Sequence, residues 1–302
     1  MRALIIVNPV AGEQRPRRIA DEAATYLQSA GWETEVQPTA HGGHATELAR
    51  DRADVELVVA IGGDGTLRET VAGLAGDQVP VGFIPIGKAN VMARELGIPR
   101  SPHAAIRLLT AGVPRAVDVG TVGDRIFLAM VGVGYDGWVT SGVDAFRARP
   151  WGQWLYRHGG STLLYVLAGI PALLRWRPTR VTLEADGVAV AGRYPSVIVS
   201  NAACYAIGWE MTPGSRVDDG MLDHHANRRV APWFVGWTML AAMLKKRVPS
   251  LIADYGRASS YRIVASEPFR WQVDGDPMPA ARELAIGLLP AHVRLIVPAA
   301  AD

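Results

Sequence analysis

The sequence lacks several features that would place it in a large functional class. It has one cysteine, Cys204, so an intrachain disulfide and a cysteine-based zinc site are excluded, and a reducing, cytoplasmic setting is expected. It has no surplus of charge. The 31 Lys and Arg residues stand against 29 Asp and Glu, a formal net charge of +2, without the concentrated basic excess of a general nucleic-acid binder. It has no long uninterrupted apolar run either. The longest, STLLYVLAGIPALL, is broken by Gly169 and Pro171, whereas a spanning helix needs roughly 20 mostly apolar residues. The apolar stretch after Met1 is too short for the core of a secretory signal and reads as a first strand. No internal repeat and no low-complexity tract is present.

What is present divides into two halves. Up to about residue 120, apolar strand runs (LIIV, LVVAIG, VGFIPIG, with the shorter TEVQPT) alternate with helical patterns (RRIADEAATYLQSAG, HATELARDRA, TLRETVAGL, ANVMARELG). That alternation predicts βαβ units around a parallel sheet covered on both faces. A boundary is expected between 115 and 122. From 121 to 302, short extended runs are separated by turn residues, including Asp186-Gly187 and Asp274-Gly275. This predicts a mostly antiparallel β-sandwich interrupted by helices near 160–176 and 231–246. The final strand is expected to pack back toward the first domain.

Ligands of parallel α/β sheets bind outside the carboxyl ends of the strands. Three glycine-bearing turns fall at such ends: Asn8-Pro9-Val10-Ala11-Gly12, Gly62-Gly63-Asp64-Gly65-Thr66, and Pro85-Ile86-Gly87-Lys88-Ala89-Asn90. Glycine lets backbone approach a ligand closely, and amides at a helix start favour phosphate. A carboxylate such as Asp64 fits beside phosphate when a magnesium ion or a donor hydroxyl lies between them. Thr66 is placed to cap the helix or to hold a phosphate oxygen. One such turn alone reads equally as an ordinary βα connection; three on one sheet edge favour a nucleotide cleft.

The ordered set N-P-V-A-G, G-G-D-G-T and P-I-G-K-A-N-V-M-A-R-E-L-G-I-P resembles the diacylglycerol kinase catalytic-domain family, which includes bacterial soluble lipid kinases and sphingosine kinases. GGDGT alone is shared with NAD kinases. The resemblance implies a Rossmann-like first domain of the NAD kinase and diacylglycerol kinase type, and ATP and Mg2+ as cofactors. Nucleotide contacts are implied for Asn8, Pro9, Gly12 and Thr39, with Gly62, Gly63, Asp64, Gly65 and Thr66 forming the phosphate and metal part of the cleft. Lys88 and Asn90 complete it. Lys88 stands where the family carries threonine, and either adjusts ATP binding, pairs with Asp64, or marks a weakened enzyme.

In the second half, Q-V-D-G-D-P holds Asp274 and Asp276 around Gly275. By spacing this is a type I′ hairpin turn. By resemblance it matches the family's D-G-E motif, which makes Asp276 the general base, one methylene shorter than the usual glutamate, and puts Asp274 next to metal and phosphate. The segment Arg216 to Asp223 reads as a solvated Asp-Gly turn, or by resemblance as a structural magnesium site using Asp219 and the carbonyls of Arg216 and Met221. His224 and His225 beside it are not expected to bind zinc.

Two apolar stripes remain: Leu163, Val166, Leu167, Ile170 and Leu174, and Trp233, Trp237, Leu240 and Leu244. Such stripes are expected to face core, with an acyl-chain wall as the alternative. Arg175, Arg177, Lys245, Lys246 and Arg247 at the helix ends, with Trp151, Trp154, Tyr156 and Arg157, suit transient contact with an anionic membrane surface. The expectation is a lipid kinase acting on a diacylglycerol-like lipid, peripheral at the inner membrane surface. A phosphotransferase with a soluble acceptor, or a binding protein that has lost catalysis, is the alternative. Whether it forms a homodimer stays open.

Overall fold

The computed structural model describes residues 1–12, 15–50, 54–74, 76, 78–147, 149, 176, 178–205, 208–229 and 231–299. Residues 151–175 and Arg177 therefore lie outside the described residues. With them go the first apolar stripe (Leu163, Val166, Leu167, Ile170, Leu174), Arg175, and the cluster Trp151, Trp154, Tyr156 and Arg157. The chain forms two compact units. One comprises Met1–Val119 with the segment from Pro290 onward, the other Gly120–Leu289.

The first unit is built on parallel strands β1 (Arg2–Val7), β2 (Glu33–Pro38), β3 (Leu57–Gly62) and β4 (Val81–Pro85). β1 lies between β2 and β3, and β4 pairs with β3 on the other side. β1, β3 and β4 are apolar along nearly their whole length because helices cover them. Helices α1 (Pro16–Ser29), α2 (His44–Ala49) and α3 (Asp64–Leu74) follow β1, β2 and β3 in turn, and α4 (Val91–Glu95) and α5 (Pro102–Ala111) both follow β4. One core joins Ile5, Val7, Val59, Ile61 and Ile84 of the sheet to Ile19, Ala23 and Leu27 of α1 and to Ile106 and Leu109 of α5. Strand β5 (Val113–Val122) leads out of this unit, and the end of the last strand returns to it, with Leu295 parallel to Val81.

The second unit is a mostly antiparallel β-sandwich. It contains β6 (Arg125–Phe127), β7 (Met130–Val133), β8 (Val181–Ala185), β9 (Val188–Tyr194), β10 (Ser196–Ser200), β13 (Leu222–Asn227), β14 (Ala253–Ala258), β15 (Tyr261–Val273) and the first part of β16 (Asp276–Val297), with the short pair β11 (Cys204–Tyr205) and β12 (Trp209–Glu210). Strand neighbours run β14, β13, β10, β7, β15, β16, while β8 and β9 extend from the other half of β15. Its neighbours β15 and β16, β15 and β7, β7 and β10, β10 and β13, β13 and β14, β15 and β8, β8 and β9, and β5 and β6 pair antiparallel. Phe127, Val131, Val133, Leu183, Tyr194, Val197, Leu222, Ile263 and Trp271 share its core. Helix α6 (Tyr135–Arg147) follows β7, and α7 (Pro232–Met243) follows β13.

The expectation that the α7 stripe faces core is overturned. Trp233 is 70% exposed, Trp237 55%, Leu240 54% and Leu244 59%. The buried side carries Thr238, Ala241 and Ala242 instead. The helix is apolar around most of its circumference, so a stripe of large residues does not by itself identify the inward face. The small residues face inward and let the helix lie close against the sheet.

Candidate active site

The three glycine turns of the first unit do come together. The Asn8 amide donates to the Ile61 carbonyl at 2.9 Å, and the amides of Ile86 and Gly87 donate to the Gly62 carbonyl at 2.9 and 3.1 Å. The Thr39 amide donates to the Val7 carbonyl at 2.9 Å, which puts the end of β2 beside the end of β1. Asn8 ties its own turn with Oδ1, which accepts from the Val10 amide at 3.1 Å, and reaches α3 with Nδ2, 3.3 Å from Thr66 Oγ1. Asn8, Pro9, Gly12, Thr39, Gly62, Gly63, Asp64, Gly65, Thr66, Lys88 and Asn90 thus occupy one end of the parallel sheet.

The helix after β3 begins earlier than its pattern indicated. The Leu67 amide bonds to the Gly63 carbonyl at 3.1 Å, so α3 opens at Asp64 rather than Thr66. Gly65 and Thr66 therefore lie in the first helical turn, whose amides have no intrahelical acceptor. The carboxylate of Asp64 accepts from the Met92 amide at 3.0 Å, so it supports the start of α4 as well. Burial pushes the Asp64 carboxyl above the usual carboxylate range, and the amides of Met92, Val91, Asp64 and Asn90 oppose that rise. A buried carboxylate of raised pKa is a group that a cation would stabilise.

The turns also form a cradle that a side chain would fill. At Gly12 the backbone is left-handed, φ +66°, and a Cβ would run into the Ile86 carbonyl oxygen. At Gly87 a Cβ would lie 2.6 Å from Gly63 Cα and 2.7 Å from Asn90 Oδ1. Asn90 is buried and left-handed, its Nδ2 donates to the Gly87 carbonyl at 2.8 Å, and its Oδ1 has no hydrogen-bond donor among the described residues. Free amides at a helix start, close backbone approach and an unserved buried acceptor fit the phosphates and hydroxyls of a nucleotide. Replacing Gly87 with alanine is expected to weaken ATP binding at least about tenfold, and to cost about 1–3 kcal/mol of stability from overpacking. Calorimetric titration with ATP and a thermal melt check both.

In the second unit, Asp274 and Asp276 belong to the hairpin between β15 and β16. Asp274 has φ +48° and Gly275 φ +90°, and Val273 pairs with Asp276 across them, which is the two-residue primed turn that Asp-Gly favours. Asp274 is an anchor. Its carboxylate accepts from the amides of Leu128, Ala129 and Met130, each at 2.9 Å. Asp276 is exposed at the first position of β16.

A second glycine-rich strand end, V-G-V-G-Y-D-G at 131–137, carries a residue that sequence reasoning missed. Asp136, buried in the first turn of α6, accepts hydrogen bonds from the Tyr205 hydroxyl and from Gln272 Nε2. Gln272 Oε1 in turn accepts from the Gly275 amide at 2.6 Å. Burial raises the Asp136 carboxyl, and the bonds from Tyr205 and Gln272 oppose the rise. The signal was the glycine spacing: a Cβ at Gly132 would collide with the Asp136 carboxylate. Substituting Gln272 with leucine is expected to cost about 2–4 kcal/mol by orphaning the Gly275 amide and one Asp136 oxygen. Urea denaturation measures this.

The segment expected to hold a structural magnesium is the loop before β13. Asp219 Oδ1 accepts from the Met221 amide at 3.2 Å, and Oδ2 faces the Arg257 guanidinium. The Arg216 Nε lies 3.2 Å from Asp218 Oδ1. A cation here would share its only carboxylate of the expected set with an arginine, and among the described residues no group of three or more His, Cys, Asp and Glu side chains is arranged to hold a metal. The expected set draws two of its donors from backbone carbonyls, and its one carboxylate, Asp219, already faces Arg257. His224 and His225 are neighbours on a strand and serve different partners, the Tyr261 hydroxyl at 3.1 Å and the Met211 carbonyl at 3.0 Å. Burial lowers both, His224 to about 4.

A parallel α/β unit with a glycine cradle at its strand ends, joined to an antiparallel sandwich, is the architecture of diacylglycerol kinase-like folds. A family model for the diacylglycerol kinase catalytic domain matches residues 2–122, and one for the YegS C-terminal NAD kinase beta sandwich-like domain matches residues 129–297. The chain is 30% identical over 282 residues to a diacylglycerol kinase of Bacillus subtilis (strain 168), covering 91% of this chain and 89% of that one. It is 27% identical over 302 residues to a Pseudomonas putida protein named "Probable lipid kinase YegS-like", covering 99% and 96%. A crystal structure of a diacylglycerol kinase from Bacillus anthracis str. Sterne shares the fold, with TM-score 0.72, 22% identity and coverage of 98% and 96%. The chain belongs to the diacylglycerol kinase catalytic-domain family of lipid kinases.

Proposed function

We propose that the protein is an ATP- and Mg2+-dependent lipid kinase that phosphorylates the hydroxyl of a diacylglycerol-like lipid. The observation that carries this is the meeting of three glycine turns around Asp64 and Asn90 in a chain of this family. ATP supplies the phosphoryl group and Mg2+ neutralises charge on it. The chain's own residues position and polarise. The amides at the start of α3 and the cradle at Gly12, Gly63 and Gly87 would hold phosphate oxygens, Lys88 would add a positive charge to the same loops, and Asp64 would hold the cation, which would supply charge neutralisation. Asp276 takes the proton from the lipid hydroxyl, so that the alcohol oxygen attacks the γ-phosphorus and ADP leaves. Asp274, Gln272 and Asp136 hold the turn that presents Asp276.

The test is incubation with labelled ATP and a panel of diacylglycerol, monoacylglycerol, phosphatidylglycerol and sphingoid bases, with products identified by mass. Phosphorylation of one lipid is the expected result. The sandwich domain's match to an NAD kinase-like family model favours including NAD as an acceptor in the same panel. Label on NAD alone would replace this reading with a soluble-acceptor phosphotransferase. Nucleotide binding without turnover on any acceptor would make it a binding protein.

A further inference from the structure

Helix α7 has an arrangement that a core helix does not need. Its 12 residues, PWFVGWTMLAAM, contain no charge. The large side chains Trp233, Trp237, Leu240 and Met243 point to solvent, each more than half exposed, and Leu244 and Leu251 extend the patch. A helix apolar on every side belongs in a core or in lipid. At about 1.5 Å per residue this one spans about 18 Å, well short of a bilayer's hydrocarbon core. It can lie in an interface but cannot cross one.

Charge identifies what covers the patch. From Arg228 to Ala253 the sequence holds five basic residues and no acidic one. They flank the helix at both ends: Arg228 and Arg229 before it, Lys245, Lys246 and Arg247 after it. Arg228 pairs with Asp254 and Lys245 with Glu210. Arg229 lies over the Phe234 ring and Arg247 over the Tyr255 ring, with guanidinium carbons 5.7 and 5.2 Å from the centroids. Because both ends are basic, a second copy packed on this helix in either direction would set like charges against each other. Anionic headgroups neutralise both ends at once, and tryptophan favours the level of the headgroups.

We propose that α7 is a membrane-docking helix, inserting Trp233, Trp237 and Leu240 into the interface of an anionic bilayer while the basic flanks hold the headgroups. This does not depend on the kinase reading, since docking needs neither nucleotide nor acceptor. The test is co-sedimentation of the full chain, without ATP, with vesicles of phosphatidylcholine alone and of equal parts phosphatidylcholine and phosphatidylglycerol. The wild type is expected to sediment with the mixed vesicles and to be released by salt. Trp233→Ser combined with Trp237→Ser is expected to weaken that binding at least about tenfold. Lys246→Glu with Arg247→Glu is expected to do so on mixed vesicles only, again about tenfold or more. All four positions are exposed, and circular dichroism checks that the fold persists. Binding unchanged in both double variants, or no binding by the wild type, would overturn the proposal. So would a wild-type dimer that the tryptophan variant dissolves, which would assign the face to self-association.

Discussion

Asp276→Asn is expected to lower the rate of lipid phosphorylation by about 10²–10⁴-fold, the range that general-base assistance supplies, with melting behaviour unchanged. Structure and chemistry separate cleanly at this position. The side chain is exposed, and the backbone is fixed by its pairing with Val273 across the turn and by the continuation of β16. Asparagine keeps the shape and loses the ability to take a proton. If the assignment is right, Asp276→Glu retains activity, because glutamate restores the length that the family motif uses. Single-turnover measurements with ATP and diacylglycerol read the chemical step directly. Full activity in the asparagine variant would remove Asp276 from the mechanism and leave the nucleotide site standing.

Asp274→Ala is expected to act on stability instead, at about 3–5 kcal/mol. The carboxylate receives three backbone amides, from Leu128, Ala129 and Met130. Removing it leaves those donors without their acceptor and takes away hydrogen bonds to a charged group, each of the stronger kind. The Asp274 amide also donates to the Met130 carbonyl at 3.0 Å, so the loss unties the turn from the start of β7. Asp274→Asn distinguishes this from a purely electrostatic role. Its one remaining carbonyl oxygen can still serve Ala129 and Met130, while its NH2 opposes the Leu128 amide, and the cost should fall between wild type and alanine. Urea midpoints at constant m-value measure the series. Equal stability of all three proteins would contradict the anchoring seen here.

How much of this was legible beforehand depended on which physical rule governed each segment. Strands β1, β3 and β4 were legible because they are short, almost wholly apolar and followed by turn residues. The two Asp-Gly hairpins were legible for a backbone reason, since Asp186 and Asp274 both have φ near +47° and each precedes a glycine. Helices α5 and α6 were passed over. In α6 the helix starts directly behind Gly134, and the glycines of 132–137 carry no helical pattern. In fact Gly132 and Gly137 are there to clear the Asp136 carboxylate and the backbone of Trp271. The hydrogen-bonded chain from Tyr205 through Asp136 and Gln272 to Gly275 joins residues too distant in sequence for spacing to reveal. The α7 stripe misled because periodicity identifies a face without saying which way it points. The meeting of the three glycine turns was legible because the topology of a parallel sheet sends all strand ends to one edge.

One consequence of the chain's path concerns its birth. The first unit draws its last strand from the far end of the polypeptide: Val293, Leu295 and Ile296 are buried there, and the Ala291 amide bonds to Asp118 Oδ1 at 2.7 Å. At about 5–20 residues per second, a ribosome needs on the order of 10–30 s to travel from Val119 to those residues. Throughout that interval β4 has an unpaired side, and the nascent first unit is sticky and incomplete. A fragment ending at Val119 would be left permanently in that condition, so attempts to produce the first unit alone should graft residues 290–299 back onto it.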